Sequence, residues 1–308
     1  MTINNVEPRR DVAGQIIDAH DGCLQFFNGR FYLYGTAYGS GDGYGITNRY
    51  VVYSSPDLDR WKFEGELLPS HPTGIYYRPY VVFNLNTRKY MLWYNWYPKK
   101  WNGQEGIAIS DNPIGPFTIV NTNALHNRAG AFPGDGSPFV DEDGKGYYIF
   151  TAIGEGYAVR VLALTPDYLG LTGEASGILA KGGEAPLLFR RNNIYYALCG
   201  PLCAFCPQGS EVQVFTASSP LGPYTPRSNI NRRSDRDIPN IPAQESWVAK
   251  IPTAGEPAFI WMADRWESFP DGIKGHEFQF WSLPLQFKTN GDILPIQNIA
   301  QWHIARAQ

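Results

Sequence analysis

No stretch of this 308-residue chain approaches the roughly 18 consecutive apolar residues that a membrane-crossing helix needs. Residues 1–11 are polar and lack the apolar segment of a secretory signal peptide. The chain as it stands is therefore expected in the cytoplasm, with secretion the alternative if a leader has been removed. Positive charge is not in excess either. The 26 lysines and arginines are mixed with 29 aspartates and glutamates along the whole length, and the net charge is −3. No basic stripe exists to neutralise a run of phosphates, so neither nucleic acid nor a membrane is an expected partner. Amphipathic helices are missing as well, since no apolar stripe at helical spacing lasts beyond about two turns. Cysteine is scarce, with four residues.

Three of those cysteines, Cys199, Cys203 and Cys206, have a C-x3-C-x2-C spacing that resembles the cluster-binding motif of radical-SAM enzymes. In those enzymes the motif follows the first strand of an N-terminal barrel. Here it follows a strand-like run at 194–198, two thirds of the way along the chain. Without a fourth ligand the trio reads as loop thiols, either buried or joined in one local disulfide.

What is abundant points to β structure. The chain carries 32 glycines and 24 prolines, nearly a fifth of its residues, together with 17 phenylalanines, 19 tyrosines and 9 tryptophans. Frequent turns and many flat side chains favour strands. The strands also repeat. Aromatic-rich runs that follow a turn recur at 28–34, 87–93, 143–150, 192–198 and 256–261. Each precedes a second strand-like run that ends at or near a proline: Pro56, Pro113, Pro166, Pro220 and Pro284, which lie 57, 53, 54 and 64 residues apart. Such a period is too long for a helical repeat and suits a four-stranded sheet with its turns. An irregular β-sandwich would have no reason to keep its strand-end prolines in phase. The expectation is an all-β, five-bladed β-propeller over residues 1–308, a single catalytic domain.

In a propeller the first strands of all blades converge on one axis, so chemistry is expected near the start of each repeat. Three carboxylates stand there. Asp21 lies ten residues before Phe31, Asp135 opens the third repeat and Glu184 opens the fourth. A lone acid before a strand is usually a solvated turn, but three in phase point to shared chemistry.

These motifs together resemble glycoside hydrolase family 43, five-bladed propeller glycosidases that remove arabinose, xylose or galactose from plant polysaccharides. The third-blade pattern of an Asp, small residues, Phe and Asp-x-Asp-Gly is matched at 135–144, and the fourth-blade Glu-small-Pro with a Tyr-Tyr strand at 184–196. The first-blade Asp is matched by Asp21, and 264–266 with 281–287 resemble the final blade. The resemblance implies Asp21 as general base, Glu184 as general acid and Asp135 as the residue that orients the acid and raises its pKa. It further implies inversion at the anomeric carbon, with an oligo- or polysaccharide as substrate. No catalytic cofactor follows from it, only a structural calcium ion on the propeller axis, and the chain is expected to be a monomer. The division of labour is chemically required: one carboxyl must stay protonated to protect the leaving oxygen, and one ionised to activate water.

The segments 19–22 and 264–266 look most like the branch containing exo-β-1,3-galactanases. That branch commonly has Gly at the position of Asp21 and uses a fifth-blade Gln in place of the carboxylate base, which Gln244 matches. Its second-blade Glu-Arg-Pro appears here as Tyr77-Arg78-Pro79. With Asp21 present, a carboxylate base and a different glycone are expected, arabinofuranosyl or another furanosyl first. Trp93, Trp96 and Trp101 follow the second hairpin and are candidates for sugar-stacking subsites. Arg265 is a candidate donor to sugar hydroxyls, and His20 and His276 are candidate axis residues. The contrasting possibility is a carbohydrate-binding propeller without turnover, which would have no need of a carboxyl pair across one bond.

Overall fold

Asn28 and Gly29 form a two-residue turn with φ of 50° and 79°, which lets Phe27 pair directly with Arg30. Positive φ at both positions gives a turn whose twist matches that of the strands it joins. The computed structural model describes residues 2–100, 102–125, 132–203, 207–233 and 238–304.

A short β1 (Thr2–Asn4) precedes five antiparallel meanders. The first blade is β2 (His20–Phe27), β3 (Arg30–Ala37), β4 (Arg49–Ser55) and β5 (Lys62–Glu66). The second is β6 (Ile75–Asn84), β7 (Lys89–Tyr97), β8 (Gln104–Ser110) and β9 (Thr118–Asn121). The third is β10 (Pro133–Val140), β11 (Gly146–Ala152), β12 (Ala158–Leu164) and β13 (Leu171–Ala175). The fourth is β14 (Gly183–Arg191), β15 (Ile194–Pro201), β16 (Gln213–Ala217) and β17 (Thr225–Asn229). The fifth is β18 (Gln244–Ile251), β19 (Ala258–Arg265) and β20 (Phe278–Pro284), and β21 (Gln301–His303) follows. The strands β2, β6, β10, β14 and β18 neighbour one another in turn, and β18 returns to β2, closing a five-bladed β-propeller. The described residues contain three short 3-10 turns and no α-helix, and no helix among them is long and apolar enough to cross a membrane.

The fifth blade departs from the expected four strands. Among the described residues it has three, and a ribbon of β1 paired with β21 lies against β20 through Trp302, whose Nε1 donates to the Trp281 carbonyl at 2.9 Å. The Asn5 side chain bonds both backbone groups of Trp281, accepting from its N–H at 2.9 Å and donating to its carbonyl at 3.0 Å. One amide side chain thus substitutes for a rung of sheet.

The core lies in wedges between blades. Trp61 meets Trp281 between blades one and five, Trp93 meets Tyr148 between two and three, and Phe189 meets Phe259 between four and five. The aromatic excess is spent on these contacts, where flat faces slide past the pleat of a neighbouring sheet. Two of the in-phase prolines join adjacent blades. The carbonyl of Pro113 accepts from Tyr34 Oη and that of Pro166 from Asn84 Nδ2, each at 2.8 Å and each from the preceding blade.

Candidate active site

Every inner strand breaks register once, close to its start. The shifts fall between His20 and Cys23, Tyr77 and Tyr80, Pro133 and Gly136, Glu184 and Leu187, and Glu245 and Trp247. A bulge inserts an extra residue and re-aims the side chain beside it. Three of these bulges hold a non-glycine residue in the left-handed region: Asp21 (φ 47°), Arg78 (φ 51°) and Ala185 (φ 52°). Such backbone is costly and concentrates where it has a use. Here the use is a cavity of about 440 Å³ that receives Asp21, Arg78, Asp135, Glu184 and Gln244, one from each blade. Tyr38, Tyr44, Tyr77, Tyr97 and Trp266 supply aromatic walls.

Asp21 is buried and surrounded by donors. Thr36 Oγ1 donates to its Oδ1 at 2.6 Å, Tyr38 Oη to its Oδ2 at 2.5 Å and the Arg78 N–H to Oδ1 at 3.2 Å. Burial pushes its carboxyl up to about 7, Asp264 adds to the rise, and the Arg78 charge and the two hydroxyls oppose it.

Across the cavity Arg78 Nε lies 3.0 Å from Asp135 Oδ1, and Asp135 Oδ2 accepts the Ala185 N–H at 2.9 Å. Asp135 is thereby tied to the residue next to Glu184. Burial, then the negative charge of Asp135, pushes the Glu184 carboxyl up to about 7, while the Cys203 N–H at 3.1 Å from Oε2 works the other way. Asp21 is held by donors that favour its charge, and Glu184 by a neighbour that disfavours it.

Residues 18–248 match the family model described as Glycosyl hydrolases family 43. The chain belongs to this family. An arabinoxylan arabinofuranohydrolase of Bacillus subtilis (strain 168) is 27% identical over 275 residues, a match covering 70% of this chain and 51% of the relative. The chain thus spans about half the length of that curated relative. Among solved structures, a family 43 β-1,3-galactosidase with galactodeoxynojirimycin superposes with a TM-score of 0.83 at 24% identity, covering 98% of this chain and 100% of that one. An exo-β-1,3-galactanase from Clostridium thermocellum gives a TM-score of 0.85 at 23% identity, covering 97% and 66%. At these identities the two structures speak for the fold.

Of the residues expected at a family 43 site, Asp21, Asp135, Glu184 and Gln244 share the cavity. Five others stand elsewhere. His20 is 1% exposed and lies behind Asp21, against the rings of Tyr38 and Trp266. Trp93 is wholly buried in the wedge between blades two and three. Trp96 stacks on Tyr76 and donates to the Thr122 carbonyl, because strand alternation sends its neighbour Tyr97 to the cavity instead. Arg265 donates to the Asn5 carbonyl and packs over Phe278, leaving Trp266 to face the cavity. His276 is on the surface and bonded to Asp271. Trp101 and Cys206 lie outside the described residues. Cys203 is disulfide-bonded, as the local-disulfide reading allows, whereas Cys23 and Cys199 are free and buried.

Arg78, Tyr38 and Asp264 are the residues that sequence reading passed over. Arg78 carried a signal: it stands 57 residues after Asp21 and 57 before Asp135, in phase with both. Tyr38 carried none and Asp264 only its place in the final-blade stretch 264–266, since each sits on a neighbouring strand or its loop and reaches Asp21 only through the fold. Among the described residues, no group of three or more His, Cys, Asp or Glu side chains is arranged to hold a metal ion.

Proposed function

We propose that this protein is an inverting glycosidase that releases a sugar from plant-type oligo- or polysaccharides, with an arabinofuranosyl or other furanosyl unit first and xylosyl or galactosyl next. The observation that carries the reading is one cavity holding two carboxyl groups brought near neutrality by burial but kept in opposite company. Asp21, with three donors, is suited to exist as a carboxylate. Glu184, beside Asp135, is suited to keep its proton.

In the proposed step a water lies between Asp21 and the anomeric carbon. As the water oxygen bonds to that carbon, Asp21 takes the water proton, the glycosidic C–O bond breaks, and Glu184 gives its proton to the departing oxygen. Attack and departure on opposite faces invert the anomeric centre. Tyr77, Tyr97 and Trp266 offer ring faces for the apolar C–H side of a sugar. A disulfide at Cys203 suits an oxidising compartment and hence secretion.

Gln244 supports a second reading, an exo-acting β-1,3-galactan hydrolase. It lines the same cavity, and its Oε1 accepts from Trp266 Nε1 at 3.2 Å, which sets the amide in place. An amide can orient a water but is too weak a base to take its proton, so Asp21 remains the base in our reading. The test is a panel of nitrophenyl glycosides with arabinoxylan and β-1,3-galactan oligosaccharides, followed by proton NMR of the first product. A product of inverted configuration is expected. A retained anomer, or no hydrolysis of any member, overturns the proposal.

A further inference from the structure

Behind Asp21 lies a chain of polar groups that the catalytic reading does not use. His20 Nδ1 is 3.0 Å from Asp264 Oδ1, and its Nε2 is 3.5 Å from Asp18 Oδ1, within ion-pair range though long for a hydrogen bond. A carboxylate can only accept, so a ring facing one at each nitrogen is best matched when both nitrogens carry protons, Nδ1 through a hydrogen bond and Nε2 through the ion-pair contact alone. The two flanking acids each reach onward to the base. Asp264 Oδ2 accepts the Asp21 N–H at 2.8 Å. Asp18 accepts the N–H groups of Tyr38 and Gly39 at 2.9 and 2.7 Å, and the Tyr38 hydroxyl donates to Asp21 Oδ2. The imidazole also packs against Tyr38 and Trp266, with ring centroids 5.6 and 5.5 Å away, and Trp266 is the residue that holds Gln244.

Resting on the proposed function, we propose that His20 is the positioning residue of the water-activating side of this site. As a cation between Asp18 and Asp264, it fixes the two arms that aim the Asp21 carboxylate and braces the tryptophan that sets Gln244. Burial opposes a charge on His20, but Asp264, Asp18 and Asp21 outweigh it and hold its pKa above the usual histidine value. The other charges around this chain are Arg9 facing Asp264, His276 facing Asp18 and Arg78 facing Asp21. Of these groups, His20 is the one that stands between Asp18 and Asp264. Gly275 closes the far side, where a Cβ would come within 2.5 Å of Asp18 Oδ2 and 2.6 Å of the Gly39 carbonyl.

The experiment compares wild type, His20→Gln and Asp21→Ala on the best glycoside substrate across pH, and records imidazole ¹⁵N spectra of the wild type. For His20→Gln we expect kcat to fall about tenfold or more with KM within about threefold. Its acidic limb should move to higher pH, because removing a nearby cation makes the Asp21 carboxylate harder to form. The His20 ring should carry protons on both nitrogens at pH 7.5. A neutral tautomer there, or a His20→Gln enzyme with unchanged kcat and acidic limb beside a dead Asp21→Ala, overturns this inference and leaves the proposed function standing. A wild type inactive on every glycoside, or a fully active Asp21→Ala, overturns the functional reading instead, and the ¹⁵N spectrum still decides whether His20 is held as a cation. If His20→Gln does not fold, the wild-type ¹⁵N spectrum decides: a neutral His20 ring at pH 7.5 overturns the inference, and a doubly protonated ring upholds it.

Discussion

The backbone N–H of Cys203 donates to Oε2 of Glu184 at 3.1 Å, so the proposed acid is held by a residue that is itself locked in a disulfide. That bond favours the charged form of the acid. Reducing the disulfide frees the segment that presents the N–H, which should lower kcat severalfold and move the basic limb of the pH–rate profile to higher pH. A profile measured with and without dithiothreitol checks both. An unchanged limb would mean that the N–H stays in place without the bridge.

Glu184→Gln keeps the shape but has no proton to deliver. Turnover of substrates with poor leaving groups should fall by about three orders of magnitude, while aryl glycosides with activated leaving groups should be partly spared. Equal losses on both substrate classes would take the acid role away from Glu184.

Asp135→Asn should move the basic limb to lower pH, since the loss of a negative neighbour makes Glu184 easier to ionise. It also leaves the buried Arg78, 4% exposed, without the negative charge of its 3.0 Å partner, and should lower the melting temperature. Calorimetry beside the pH profile separates the two effects.

The wild-type rate should be bell-shaped with its maximum near neutral pH. Below about 7 Asp21 takes up a proton and stops serving as base, and above about 7 Glu184 loses the proton that it must donate. A plateau extending well to either side would show that one of the two groups does not govern turnover.

Stability should carry the mark of a third buried acid. Glu105 is held between Tyr148 Oη at 2.6 Å and Asn95 Nδ2 at 3.1 Å, and burial pushes its carboxyl up to about 8 despite both donors. Between its ordinary value near 4.3 and about 8 the folded chain therefore binds more protons than the unfolded one, so this group's contribution falls as pH rises through that window. Melting temperatures from pH 5 to 8 should decline, and Glu105→Gln should flatten the decline.

The repeat of turns, aromatics and prolines revealed the blade count because inter-blade packing uses those residue types at one spacing. Asp21, Asp135 and Glu184 were legible for the same reason, since inner-strand starts lie in phase. Trp93 and Trp96 misled because composition cannot tell a ring in a wedge from a ring in a funnel, and the choice depends on strand alternation and depth. The partners of Asp21 were hidden because Tyr38 and Asp264 come from other strands or loops, 17 and 243 residues away. The three-stranded last blade was hidden too, since the terminal ribbon joins residues about 300 apart in sequence.

Each blade reaches the cavity through its own bulge, and the ladder of strand pairing resumes on the far side of every one. The five lining positions therefore share a common frame, and Arg78 couples two of them, Asp21 and Asp135, to each other. A fold built this way can trade one sugar for another by changes at the mouth while the wheel of sheets that carries it stays as it is.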